Sequence, residues 1–139
     1  MIRCTVESVR VHEQTKQHVV NLKSESGGFL PIWIGPDTAF AIASALEGKT
    51  PERPLTHDLM LDAFRKLDVQ IAGAVITRLV PYTEGSRQGV FHAALALRTE
   101  RGEVTLDCRP SDAIALAVRA RAPIDVDDAL FAESGVRPG

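Results

Sequence analysis

Apolar and polar residues alternate from the first positions. Ile2, Cys4 and Val6 form one row, and Val9 and Val11 continue it after a change of phase, which predicts a first strand carrying a bulge. His18, Val20 and Leu22 share the row of a second strand ending at Ser24-Glu25-Ser26-Gly27-Gly28, a turn signal that predicts a hairpin. Phe29-Leu30-Pro31-Ile32-Trp33-Ile34 is apolar in both phases, as in a strand covered on both faces, although Pro31 removes one ladder donor.

The period then changes. Pro36-Asp37 opens a helix through Leu46 closed by Gly48, with Phe40, Ala43 and Leu46 expected on its buried face. After the rigid segment Lys49 to Pro54, Thr56 is placed as the N-cap of an amphipathic helix whose apolar positions are Leu59, Met60, Ala63, Phe64 and Leu67. The second half repeats this order. A strand runs from Val69 to Val80, a polar, Gly-containing loop from Pro81 to Gly89, and a strand from Val90 to Arg98 with Phe91, Ala93, Leu95 and Leu97 on one face. Arg101-Gly102 turns the chain into a strand with Val104, Leu106 and Cys108 inward and Glu103, Thr105 and Asp107 on the other face. Ser111 is expected to cap an Ala- and Leu-rich helix to about Ala120. A short strand Ile124 to Val126, a last helix near Asp127 to Glu133 and a frayed end from Gly135 to Gly139 complete the chain.

Placing Pro36 against Pro110 aligns Ala39, Ala41 and Ala43 with Ala113, Ala115 and Ala117. The pattern predicts an α+β fold of mixed sheet and helices, with an internal duplication of a βββαα unit over 1–68 and 69–139. Neither unit could close a core alone, so residues 1–139 are expected to form a single domain.

Composition narrows the setting. The 139 residues are 45% hydrophobic and 24% charged, ordinary for a globular chain. No stretch reaches the about 18 apolar residues of a membrane span, and the N-terminus has no apolar signal core, so a cytoplasmic location without membrane association is expected. Cys4 and Cys108 lack metal or redox spacing and read as free thiols. A net charge of −2 gives no global attraction to nucleic acid, so any such site must be local.

Three segments carry a resemblance: Leu30-Pro31-Ile32-Trp33-Ile34-Gly35, Arg53-Pro54-Leu55-Thr56-His57-Asp58-Leu59, and Asp107-Cys108-Arg109-Pro110-Ser111-Asp112-Ala113-Ile114-Ala115-Leu116-Ala117. In order and spacing they resemble the bifunctional nuclease domain family, from about Leu30 to Val136. The family's pattern more often has another small residue at the position of Cys108, so no catalytic role attaches to that thiol. The resemblance implies nuclease activity, the hydrolysis of DNA or RNA phosphodiesters.

Such hydrolysis needs a base or metal to activate water and positive charge for the phosphorane oxygens. His57, of a residue type that exchanges a proton near neutrality, is the candidate base, with Asp58 and Asp107 as catalytic carboxylates. Its orienting partner should come from the other half, because adjacent helical residues diverge. Asp58, Asp107 and Asp112 are candidate ligands for Mg2+ or Mn2+, and Arg53, Arg109, Thr56 and Ser111 for phosphate at two helix starts. Each group has a structural reading as well: Thr56 and Ser111 as caps, Asp58 and Asp112 as dipole-favourable charges, and the arginines as partners of carboxylates, Asp107 among them. Trp33 could stack on a base or pack in a core or an oligomer interface. Arg119 and Arg121 read as solvated or dipole-favourable groups. The rival to a nuclease is a noncatalytic binding or regulatory module, expected to be a homo-oligomer, built from the same motifs.

Overall fold

A computed structural model describes residues 1–80 and 89–137. The loop expected from Pro81 to Gly89 thus lies, except for Gly89, outside the described residues. Seven strands are described: β1 (Ile2–Val11), β2 (His18–Ser24), β3 (Phe29–Ile34), β4 (Gln70–Val80), β5 (Val90–Thr99), β6 (Gly102–Cys108) and β7 (Ile124–Val126). Four helices accompany them: α1 (Pro36–Leu46), α2 (Thr56–Lys66), α3 (Pro110–Ala120) and α4 (Asp128–Ser134).

The strands form one sheet in the order β3-β2-β1-β7-β4-β5-β6. Each half is an antiparallel meander followed by a helix, β1-β2-β3-α1 and β4-β5-β6-α3. The halves meet through β7, antiparallel to β1 and parallel to β4. The second unit continues with β7 and α4 where the first has α2, so the repeat holds for βββα and then breaks. The phase change in β1 is a register shift between Val6 and Ser8.

The core lies between the inner rows of the strands and two helices. Val20, Leu22, Leu30, Ile32, Ile76, Leu95 and Val126 pack with Ile42 of α1 and Ile114 and Leu116 of α3. Burying each such side chain contributes about 1.5–3 kcal/mol. From Pro110 to Ala117 only Asp112 of α3 is not fully buried. Its alanines let α1 and the sheet approach closely, because they present no bulk and lose no rotamer freedom.

Several expected faces are corrected. In α1 the buried residues are Thr38, Ala39, Ala41 and Ile42, while Phe40 is 63% and Leu46 48% exposed. α2 buries His57 and Leu61 and leaves Leu59, Met60 and Leu67 outside, so its docked stripe is narrower and more polar than its apolar residues suggest. β3 is an edge strand with one buried row, Leu30 and Ile32, and an exposed Trp33, a setting that tolerates Pro31. On the opposite edge Val104 and Leu106 continue the row of Leu97 and Leu95 across the ladder but are exposed, because the helices do not reach over β6. The tail is tied down as far as Val136, which exchanges backbone hydrogen bonds of 2.6 and 2.7 Å with Phe29.

Candidate functional site

The helix starts differ from the expected caps. Leu55 is the N-cap of α2 and Thr56 its first residue; Arg109 is the N-cap of α3, followed by Pro110 and the buried Ser111. Neither cap residue bonds the helix through its side chain. An aspartate stands at the third helical position of each: Asp58 in α2, accepting the Leu55 N–H at 3.0 Å, and Asp112 in α3. Both helix starts thus receive a negative charge near their unpaired N–H groups.

These two aspartates interlock the helices. Asp112 Oδ1 accepts from His57 Nε2 at 2.9 Å and its Oδ2 from Arg109 Nε at 2.8 Å. Asp58 Oδ1 accepts from Arg119 Nε at 2.9 Å, and Arg119 Nη1 donates to the Ala115 carbonyl at 3.0 Å. Asp112 and Arg119 are seven residues apart, so they share a face of α3 about 10 Å apart along its axis. His57 and Asp58 are neighbours whose side chains diverge, and the divergence lets the start of α2 straddle α3 and reach both. His57 is 7% exposed. The Arg119 side chain is 8% exposed and that of Asp58 30%.

Burial alone would push the Asp112 carboxyl up, but the bonds from Arg109 and His57 outweigh it and hold it below the ordinary carboxylate value. Burial acts on Asp58 likewise, and the Arg119 and Leu55 donors prevail. Asp112 is therefore ionised and can only accept, which places a proton on His57 Nε2. Among the described residues no buried side-chain nitrogen or oxygen lacks a partner and none bonds Nδ1, so that atom is not wholly sealed from solvent.

The predicted site residues are therefore partly united. His57, Asp112 and Arg109 form one chain, and the orienting carboxylate of His57 is Asp112 from the other half. Asp58, adjacent in sequence, belongs to the separate pair with Arg119. Arg53 is exposed and makes no ion pair among the described residues. Asp107 is exposed on β6 opposite Ala94, and Thr56 is exposed. The three carboxylates proposed for Mg2+ or Mn2+ do not assemble: among the described residues no three His, Cys, Asp or Glu side chains gather as a metal requires. Asp58 and Asp112 are already matched by cations.

Two cavities flank this interlock. One, of about 230 Å³, lies where the Leu30–Gly35 and Asp107–Ala117 segments meet, and Trp33, Phe91, Arg109 and Ser111 line it. The other, of about 520 Å³, lies between α1, α2 and the end of α3. Sequence reasoning missed Arg119, a buried partner rather than a solvated charge. Its spacing of seven from Asp112 was the available signal.

The family model for the bifunctional nuclease domain matches residues 20–138. The chain belongs to that family. It is 36% identical over 132 residues to an uncharacterized protein of Mycobacterium tuberculosis, covering 94% of this chain and 74% of that one. It is also 26% identical over 141 residues to a rice protein named bifunctional nuclease 1 (Oryza sativa subsp. indica), covering 98% of this chain but 41% of the rice protein. The rice protein named bifunctional nuclease 2 (subsp. japonica) matches at 26% over 129 residues, with 38% of its length covered. Among the described residues no helix is long and apolar enough to cross a membrane.

Proposed function

We propose that this domain hydrolyses phosphodiester bonds of DNA or RNA at the start of α3. The family and the names of its rice relatives support the reaction class. The observation that carries the site is the chain Arg109–Asp112–His57, in which an ionised carboxylate fixes the ring through Nε2, so that in the neutral ring Nδ1 is the proton acceptor. His57 would take a proton from the attacking water through Nδ1, with Asp112 stabilising the resulting imidazolium. Arg109 commits Nε to Asp112 and keeps 71% of its side chain exposed, so its terminal amino groups can meet a phosphate as charge builds on the phosphorane. Trp33, 45% exposed beside the same cavity, offers a face for a base. Mg2+ or Mn2+ enters as a variable of the assay.

The second reading is a noncatalytic, homo-oligomeric binding or regulatory module. It is favoured by the depth of His57, which serves the docking of α2 as it stands, and by the uncovered Val104 and Leu106 on the β6 edge.

Purified wild type, His57→Ala and Arg109→Ala should be compared on labelled single-stranded RNA and duplex DNA with Mg2+, Mn2+ or EDTA, following activity across chromatography fractions. Loss of a general base should lower cleavage at least ~100-fold in folded His57→Ala. Arg109→Ala removes an exposed group and keeps the test interpretable if His57→Ala unfolds. Inert wild type leaves the noncatalytic reading, and light scattering would then show whether the chain is an oligomer, whereas equal cleavage by wild type and both folded variants refutes the roles given to His57 and Arg109.

A further inference from the structure

The 520 Å³ cavity is separate from the start of α3 and takes no part in the proposed hydrolysis. Four cationic side chains line it, Lys49, Arg65, Arg119 and Arg121, against one carboxylate, Asp58. That concentration stands out in a chain of net charge −2. Lys49 also touches Glu47, but both are exposed at 73% and 55%, where such a pair contributes little.

Arg119 is the informative member. It is more than nine-tenths buried, with Nε on Asp58 and Nη1 on Ala115. No described residue bonds Nη2, and no buried polar side-chain atom is left unpartnered among the described residues. Nη2 is therefore not wholly sealed, and Arg119 lines the cavity with its guanidinium held by two bonds, so Nη2 is the donor that no described residue takes up there. Arg121, on the rim, adopts φ 55°, a left-handed position where a helix end ordinarily favours Gly or Asn. Arg121 lines this cavity and also the neighbouring one beside β1.

Apart from Ser44 and Thr50 the remaining lining side chains are apolar, and Phe40, 63% exposed on α1, is among them. A bare phosphate would leave most of the volume empty, whereas cavities of about 300–1,000 Å³ suit ligands with a body as well as a charge. A fixed guanidinium, three exposed cations and an exposed aromatic ring match an anionic group joined to a flat, partly apolar one.

We propose that this cleft binds a nucleoside monophosphate, its phosphate on Arg119, Arg65 and Arg121 and its base against Phe40. The ligand is either free or the phosphorylated end of a strand, since both present the same chemistry.

The test is titration of the intact protein with AMP, CMP and inorganic phosphate by calorimetry and by 1H–15N NMR. Binding is read without any cleavage, so its failure and that of the hydrolytic reading are distinguishable. AMP or CMP should bind saturably and more tightly than phosphate, shifting the amides of Phe40, Lys49, Arg65 and Arg121. The double variant Arg65→Ala/Arg121→Ala, at exposed positions, should weaken binding at least ~10-fold through loss of charge-assisted bonds. A 5′-phosphorylated hexanucleotide that binds as well as AMP makes a strand end the ligand; one at least tenfold weaker makes it the free nucleotide, and both keep the site. No saturation by either mononucleotide at millimolar concentration, shifts confined to other residues, or equal binding by the double variant would overturn it.

Discussion

If Arg119 and Asp58 hold α2 on α3, removing either should destabilise the protein, and by unequal amounts. Breaking a buried ion pair by deleting one partner costs about 3–5 kcal/mol, because the survivor is left desolvated and uncompensated. Arg119→Met keeps the alkyl packing and leaves Asp58, which is 30% exposed and retains the Leu55 N–H, so a smaller loss of about 2–3 kcal/mol is expected. Asp58→Asn leaves the more deeply buried Arg119 charge with the Ala115 carbonyl, and about 3–4 kcal/mol is expected. The double variant removes both charges and should lose less than the sum, a coupling of about 2 kcal/mol.

Urea unfolding of the four proteins, followed by far-UV circular dichroism, measures the cycle. The m-value should stay unchanged, so that midpoint shifts report stability alone. Amide exchange should also quicken in Thr56–Lys66 before it does in the sheet, since α2 is the element released. Additivity within about 0.5 kcal/mol, or an Arg119→Met loss exceeding that of Asp58→Asn, would refute the clamp and reduce Arg119 to a packed hydrocarbon chain.

Asp58 and Asp112 are both held below the ordinary carboxylate value, so the stability they contribute is complete above about pH 4 and is lost as pH falls through their lower folded values. Asp58→Asn/Asp112→Asn should therefore show a flatter stability profile than wild type between about pH 5 and pH 2 in urea melts, and an equally steep profile would assign acid sensitivity elsewhere. In α1, Ile42→Ala should cost about 2–5 kcal/mol, whereas Phe40→Ala should stay within about 0.5 kcal/mol; reversed values would restore the face that simple periodicity suggested. Burial above all, with nearby carboxylates, pushes both thiols up to about 11. At pH 8 a disulfide reagent should label Cys4 and Cys108 over about a hundredfold more slowly in the native than in the urea-unfolded protein, and fast native labelling would contradict that environment.

What the sequence made legible follows from period and punctuation. The alternation in Ile2–Val11, the turn at Ser24–Gly28 and the prolines at 36 and 110 act within a few residues, and the strands and helices they mark are present. The faces were less legible, because a helix carries several apolar stripes and only tertiary packing selects one. In α2 the selected stripe contains His57 and Leu61, since the carboxylate and guanidinium of α3 lie opposite, and the more apolar Leu59 and Met60 are left outside. Strand order decided β6: Val104 and Leu106 alternate as an inner row should, but an edge position beyond the helices leaves them uncovered. The site was legible as residue types and not as pairs. His57 needed a carboxylate from the other half, and nothing local distinguishes Asp112 from Asp58, each the third residue of its helix.

Catalytic groups and helix clamps draw on the same residue types, so identity alone cannot separate them; the atoms each group leaves unused can. Arg119, beside the larger cleft, has Nε and Nη1 engaged and only Nη2 without a described partner. Arg109 has only Nε engaged, and His57 only Nε2, so the start of α3 keeps one ring nitrogen and two amino groups without a described partner. The two outlets are linked through the first turn of α2, where His57 bonds Asp112 and Asp58 bonds Arg119. Loosening that turn through Asp58→Asn should therefore impair nucleotide binding and any phosphodiester cleavage together, whereas Arg109→Ala should affect cleavage alone and Arg121→Ala nucleotide binding alone. If the three variants instead acted alike on both, the outlets would be one site, and the separation drawn from their unused atoms would be wrong.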